Sequence, residues 1–143
     1  MIDQASHANL RASERISMTQ TLALLDRNHL KAMTGGDTAL AMEVIDIFRE
    51  QAEVWSRMLD PLAEPSQWAD AAHTLKGASL GIGAIRLAAS CEKAEKAGRA
   101  DTPPSRTGAA VLIGDIKDVL GETLEEAAQV LYEFTSPPPR RAS

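Results

Sequence analysis

His73, Lys76 and Gly77 stand three and four residues apart in the run Ala72-His73-Thr74-Leu75-Lys76-Gly77. On a helix, residues at those separations are surface neighbours. The run therefore gathers an imidazole, an ammonium and a bare stretch of backbone into one small area. An imidazole nitrogen is a nucleophile, and an ammonium beside it can form charge-assisted hydrogen bonds to phosphoryl oxygens. Gly77 weakens a helix interior by about 0.5–1 kcal/mol relative to alanine. Its compensation is steric, because nothing overhangs the histidine on the next turn. This set suits a nitrogen nucleophile that carries a phosphoryl group and is reached by another protein.

The element that must present these residues is a helix capped by Ser66. Trp68, Ala71, Ala72, Leu75, Ser79 and Ile82 fall on one face of it at helical spacing. At about 100° per residue, His73 lies about 150° from the middle of that face. Ala69, Asp70, Gly77 and Leu80 share the histidine's side, and Lys76 flanks it. Ala69, Asp70 and Leu80 are thus the expected docking residues. Gly81 and Gly83 predict a tight turn. A second helix follows from Ala84 to about Ala97, with Leu87, Ala88, Cys91 and Ala94 inward. Gly98 ends it, and Pro103-Pro104 lie beyond.

The two helices form an antiparallel hairpin. His73 is ten residues before Gly83, and Glu95 is twelve after it. At about 1.5 Å per residue the two side chains are level to within about 3 Å. A carboxylate at Glu95 can accept from Nδ1–H, fix the tautomer and leave Nε2 as the nucleophile. Glu92, one turn earlier, competes for that role.

Three further segments complete the architecture. Asp26 caps a short helix to about Met33, which Gly35-Gly36 break. Asp37 caps a long helix from Thr38 to Leu59, with Leu40, Val44, Ile47, Phe48, Ala52, Trp55 and Leu59 recurring at threes and fours. Pro61 and Pro65 bracket the loop before the histidine helix. The last helix runs from Ser105 to about Phe134, with Ala109, Leu112, Ile113, Ile116, Leu120, Leu124, Ala128, Leu131 and Tyr132 as core. Four substantial helices with short connections predict an all-α, up-down antiparallel four-helix bundle, the short extra N-terminal helix lying across one end. Residues 1–20 are expected to be a mobile arm or frayed helix, 21–135 the bundle, and 136–143 a disordered tail.

Composition narrows the function. The chain of 143 residues is 44% hydrophobic, 24% charged and only 3% aromatic, and its net charge is −5. That balance fits a folded helical domain and argues against a nucleic-acid partner, which needs a basic stripe. One cysteine allows neither an internal disulfide nor a cysteine metal cage, and Cys91 falls on an inward face. No apolar run approaches a membrane span and no signal-peptide pattern opens the chain, so a cytoplasmic protein without a membrane partner is expected. There is no Gly-rich or Walker-type ATP loop. His7 and His29, without matching partners, are expected to be ordinary surface residues.

These residues carry a family resemblance. The run Ala72-His73-Thr74-Leu75-Lys76-Gly77, the turn Ile82-Gly83-Ala84, Leu87, the stretch from Cys91-Glu92 to Glu95, and the upstream pair Ile47-Phe48 are similar to the histidine-containing phosphotransfer (HPt) domain. The resemblance covers about residues 22–100. It implies a helical bundle with an exposed histidine halfway along one helix. That histidine's Nε2 takes a phosphoryl group from the aspartate of one receiver domain and passes it to another. On this chain it implies that His73 is phosphorylated, that Lys76 stabilises the phosphoryl oxygens, and that Gly77 leaves room for the receiver. Glu95 matches a hydrogen-bonding position that is often glutamine in the family. A basic residue found near there in some members corresponds to Lys93, Lys96 or Arg99. The resemblance further implies a monomeric carrier, not a kinase. Its partners are the receiver domains of a hybrid histidine kinase and a response regulator. The carrier itself binds no metal or other cofactor, and Mg2+ is expected in the partner receiver. One alternative is a pure interaction bundle in which His73 stays unmodified; a second, a dimeric phosphotransfer protein with a degenerate kinase-like ATP lobe, is disfavoured because the residues after 100 barely supply one helix.

Overall fold

Aspartate and serine oxygens start three of the helices. The computed structural model describes residues 22–136. Asp26 accepts from His29 N–H to open α1 (Arg27–Thr34), and Asp37 accepts from Leu40 N–H to open α2 (Thr38–Arg57). Ser105 accepts from Gly108 N–H to open α5 (Arg106–Thr135). Each cap satisfies a backbone donor that the first turn leaves free. The histidine helix α3 (Pro65–Ile82) starts differently. Glu64 is its N-cap without a side-chain hydrogen bond, and Pro65 supplies the first helical residue. Ser66 is therefore not the cap. Proline at that position lacks only an N–H that would be orphaned anyway. α3 continues through Gly81, so the turn rests on Gly83 alone, at φ 81°. Ala84 then precedes α4 (Ile85–Gly98).

The four long helices pack in a ring, α2 on α3, α3 on α4, α4 on α5 and α5 back on α2. This is the up-down bundle, and among the described residues all regular structure is helical. α1 packs on α2 and lies over the α3–α4 turn. Asp26 N–H donates to Gly83 O, and the His29 ring bonds Gly81 O at 3.0 Å. His29 is thus exposed but has a specific partner, contrary to the sequence expectation. Arg86 ties the segment before α1 to the same end, from Nε to Leu22 O and from its backbone N–H to Ala23 O.

The core joins Phe48, Trp68, Leu75, Leu87, Ile116 and Val130, all essentially solvent-free. Burying a side chain of this kind contributes about 1.5–3 kcal/mol. Two predicted stripes shift in phase. On α2 the buried row is Ala41, Ile45, Phe48 and Ala52, while Leu40 and Ile47 are 40% and 48% exposed. α2 is apolar on two adjacent rows, and only one of them faces the ring. On α5 the buried row Ala109, Ile113, Ile116, Leu120, Thr123, Ala127 and Val130 alternates steps of four and three. Ala128 and Tyr132 point outward. Thr123 can occupy the core because its hydroxyl donates to Val119 O at 2.7 Å.

α3 and α4 approach closely at Gly98. A Cβ there would stand 2.8 Å from the Trp68 ring, 2.9 Å from Ala69 Cβ and 3.0 Å from Pro65 O. Gly98 therefore does not merely end α4. It lets the C-terminal turn of α4 lie on the first turns of α3. This contact buries Ala69 completely, so Ala69 cannot be a docking residue. The predicted arm and tail, and His7, lie outside the described residues. Among the described residues no helix is long and apolar enough to cross a membrane.

Candidate functional site

Close seating of α4 on α3 brings Glu95 level with His73. His73 Nδ1 lies 2.8 Å from Glu95 Oε2, and the imidazole is 60% exposed. The second oxygen, Oε1, takes the Lys76 ammonium at 2.9 Å. Arg99, one turn beyond Glu95, adds its Nε to Oε2 at 3.3 Å and reaches Asp70 Oδ1 with Nη2 at 2.8 Å. One carboxylate thus receives an imidazole, an ammonium and a guanidinium. Its side chain is only 14% exposed.

These contacts fix charge states. The hydrogen bond from Lys76, helped by Arg99 and by the charge of His73, holds the Glu95 carboxyl below its ordinary 4.5, against the opposing effect of burial. The same bond from the other side raises Lys76 above 10.5. Arg99 is raised first by Asp70 and then by Glu95. An ionised carboxylate can only accept. His73 Nδ1 must therefore donate, and in the neutral ring Nε2 then carries the lone pair, on the ring edge away from Glu95.

Gly77 lies one turn along α3 from the histidine. A Cβ built on it meets nothing within 4 Å. The glycine therefore serves no helix contact, and the space above the imidazole is open. Leu80 is 50% exposed on the same side of α3. Met33, Val44, Ile47, Phe48 and Ala78 line a shallow apolar groove of about 260 Å³ between α1, α2 and α3. Cys91 lies fully buried one turn before Glu95, and desolvation pushes its thiol up to about 12.

Four residues singled out from the sequence, His73, Lys76, Gly77 and Glu95, share one small surface. Glu92 instead stands 3.8 Å from Lys96, so Glu95 is the histidine's partner. Lys76 is not a free ammonium, since Glu95 already holds it. Arg99 is the basic residue of the site, where the sequence left Lys93 and Lys96 equal to it. The signal was present, because Arg99 is four residues after Glu95 and hence on the same helix face. Among the described residues no three His, Cys, Asp or Glu side chains gather into a metal site.

An exposed imidazole on a bundle helix, its tautomer set from the neighbouring helix, defines a class that comparison with known proteins identifies. The Hpt domain model matches residues 39–130, and the chain belongs to this family. It is a histidine phosphotransfer protein, a carrier in phosphorelay signalling. It is similar to the histidine phosphotransferase ShpA from Caulobacter crescentus, with 32% identity and a TM-score of 0.61. The match covers 78% of this chain and 93% of that one. A search of curated proteins gave no significant match.

Proposed function

We propose that His73 Nε2 is the atom that carries the phosphoryl group between receiver-domain aspartates. The carrying observation is the 2.8 Å contact between Nδ1 and Glu95. In the neutral ring it commits the proton to Nδ1 and leaves Nε2 with the lone pair, on an imidazole that is 60% exposed. In the forward step the Nε2 lone pair attacks phosphorus of an aspartyl phosphate. The P–O bond breaks, and its electron pair stays on the departing carboxylate. The ring, with Nδ1–H and phosphorus on Nε2, becomes cationic, and Glu95 offsets that charge across a short hydrogen bond. Transfer to the second receiver reverses these changes and leaves the neutral ring. Catalysis of such a step is positioning and charge stabilisation.

In this reading the receiver brings the aspartate and the divalent cation, and the chain phosphorylates nothing from ATP itself. The two receivers are those of a hybrid histidine kinase and of a response regulator. The receiver docks over Gly77 with its edge on Leu80 and the apolar groove, while Asp70 rims the contact. Exposed apolar surface beside a reactive group suits a modest, exchangeable interface.

The test is incubation with a phosphorylated receiver domain. The wild-type chain is expected to gain acid-labile, base-stable phosphate, and His73→Gln none. Labelling of His73→Gln to the wild-type level would sink the proposal.

A further inference from the structure

Four charged side chains surround the imidazole, and they cancel. Lys76 and Arg99 are cations, and Glu95 and Asp70 are anions paired with them at 2.8–3.3 Å. A phosphoryl group on Nε2 would add charge of about −1.5 to −2 to a neutral cluster. Both cations that could answer it are already engaged. Lys76 is held by the carboxylate that the histidine itself needs. Arg99 is held chiefly by Asp70, whose side chain is 70% exposed and takes no part in the Nδ1 contact. Asp70 is three residues before His73 on the same helix, so the two side chains are surface neighbours.

We infer that Asp70 is a positioning residue: it parks the Arg99 guanidinium away from Nε2 and so keeps the phosphohistidine short-lived and ready to transfer. The inference rests on the proposed role of His73. In the resting chain Asp70 and Glu95 share Arg99 between them. After phosphorylation the guanidinium must choose between Asp70 and the phosphoryl oxygens. While it stays on Asp70, the P–Nε2 bond lacks a stabilising fork of donors. The bond is lost by attack of water or of a receiver carboxylate on phosphorus, the bonding pair remaining on Nε2 and the proton on Nδ1. With water, both protons leave in the released dihydrogen phosphate, so the step needs no further reactant.

The geometry separates this device from simple repulsion by Asp70. If repulsion alone operates, removing the carboxylate stabilises the phosphohistidine whether or not Arg99 is present. If Asp70 acts through Arg99, the benefit requires the guanidinium. The experiment phosphorylates the full chain with phosphoramidate, removes the reagent, and follows the phosphohistidine by 31P NMR. Four chains are compared: wild type, Asp70→Asn, Arg99→Ala and the double variant. Asp70→Asn is expected to lengthen the half-life by about two- to fivefold, the range an exposed charge contact commands. In the Arg99→Ala background the same change is expected to do nothing. An unchanged half-life in Asp70→Asn, or an equal gain in the double variant over Arg99→Ala, overturns the inference. A wild-type chain that forms no phosphohistidine signal, or the same signal in His73→Gln run as a fifth, control chain, overturns the functional reading beneath it as well. Thermal midpoints of the four chains show whether a change in lifetime is merely a change in folding.

Discussion

Glu95 does at the residue scale what no other side chain of the site does: it answers three donors at once. Its folded-state pKa lies below the ordinary 4.5, chiefly through Lys76. A carboxyl depressed in this way contributes stability above its unfolded pKa and loses it as pH falls through the folded value. The gap in thermal midpoint between wild type and Glu95→Gln is therefore expected to be constant near neutrality and to close as pH falls below about 4.5. A gap that persists unchanged into acid would show that the carboxylate's charge is not what matters. Gly77 makes the opposite kind of prediction. Open space above it means that Gly77→Ala fits the fold and gains about 0.5–1 kcal/mol of helix stability, read from urea unfolding. The added methyl projects into the open space one turn along α3 from His73, which an incoming receiver would cover, so transfer from a phosphorylated receiver is expected to slow in the same variant. Stability and function would then move in opposite directions.

At the scale of elements, the site depends on how closely α4 seats on α3. Gly98→Ala is expected to cost about 1–3 kcal/mol, because the methyl meets a ring, a methyl and a carbonyl that cannot all yield. An unchanged urea midpoint would contradict that close contact. The same seam explains what the sequence could and could not tell. His73, Lys76 and Gly77 were legible because their spacing is a property of one helix. Glu95 was legible because hairpin arithmetic needs only a turn position and a rise per residue. Ala69 was misplaced because its burial comes from the far end of another helix, and a wheel drawn for α3 alone contains no α4. Gly98 was the available clue, but a glycine at a helix end has the same composition whether it stops the helix or admits a neighbour. On α2 and α5 the periodicity gave the helices correctly. The phase of the buried row depended on which flank met the ring, and no single-helix pattern carries that.

On the scale of the whole molecule, an up-down ring holds the reactive histidine and its carboxylate on two adjacent helices, with α1 strapped across their turn. The strap is polar: Asp26 and His29 meet Gly83 and Gly81, and Arg27 reaches Glu126 and Glu133 of α5 at 3.5 and 3.0 Å. Exposed ion pairs of this sort add little stability each and are screened by salt, so the apolar core must carry the fold. That core also seals the single thiol of the chain. Cys91 is reached by no solvent in the folded state and resists deprotonation. A buried thiol reacts only when the structure opens around it. Cys91 consequently serves as a built-in clock on the bundle. Under native conditions its alkylation by a thiol reagent is expected to proceed no faster than the α4 region opens, and to accelerate in Gly98→Ala in step with the lost stability. Rapid labelling of the folded wild-type chain would disprove this. The same inaccessibility means that thiol-directed reagents are expected to leave phosphoryl transfer untouched until the protein unfolds.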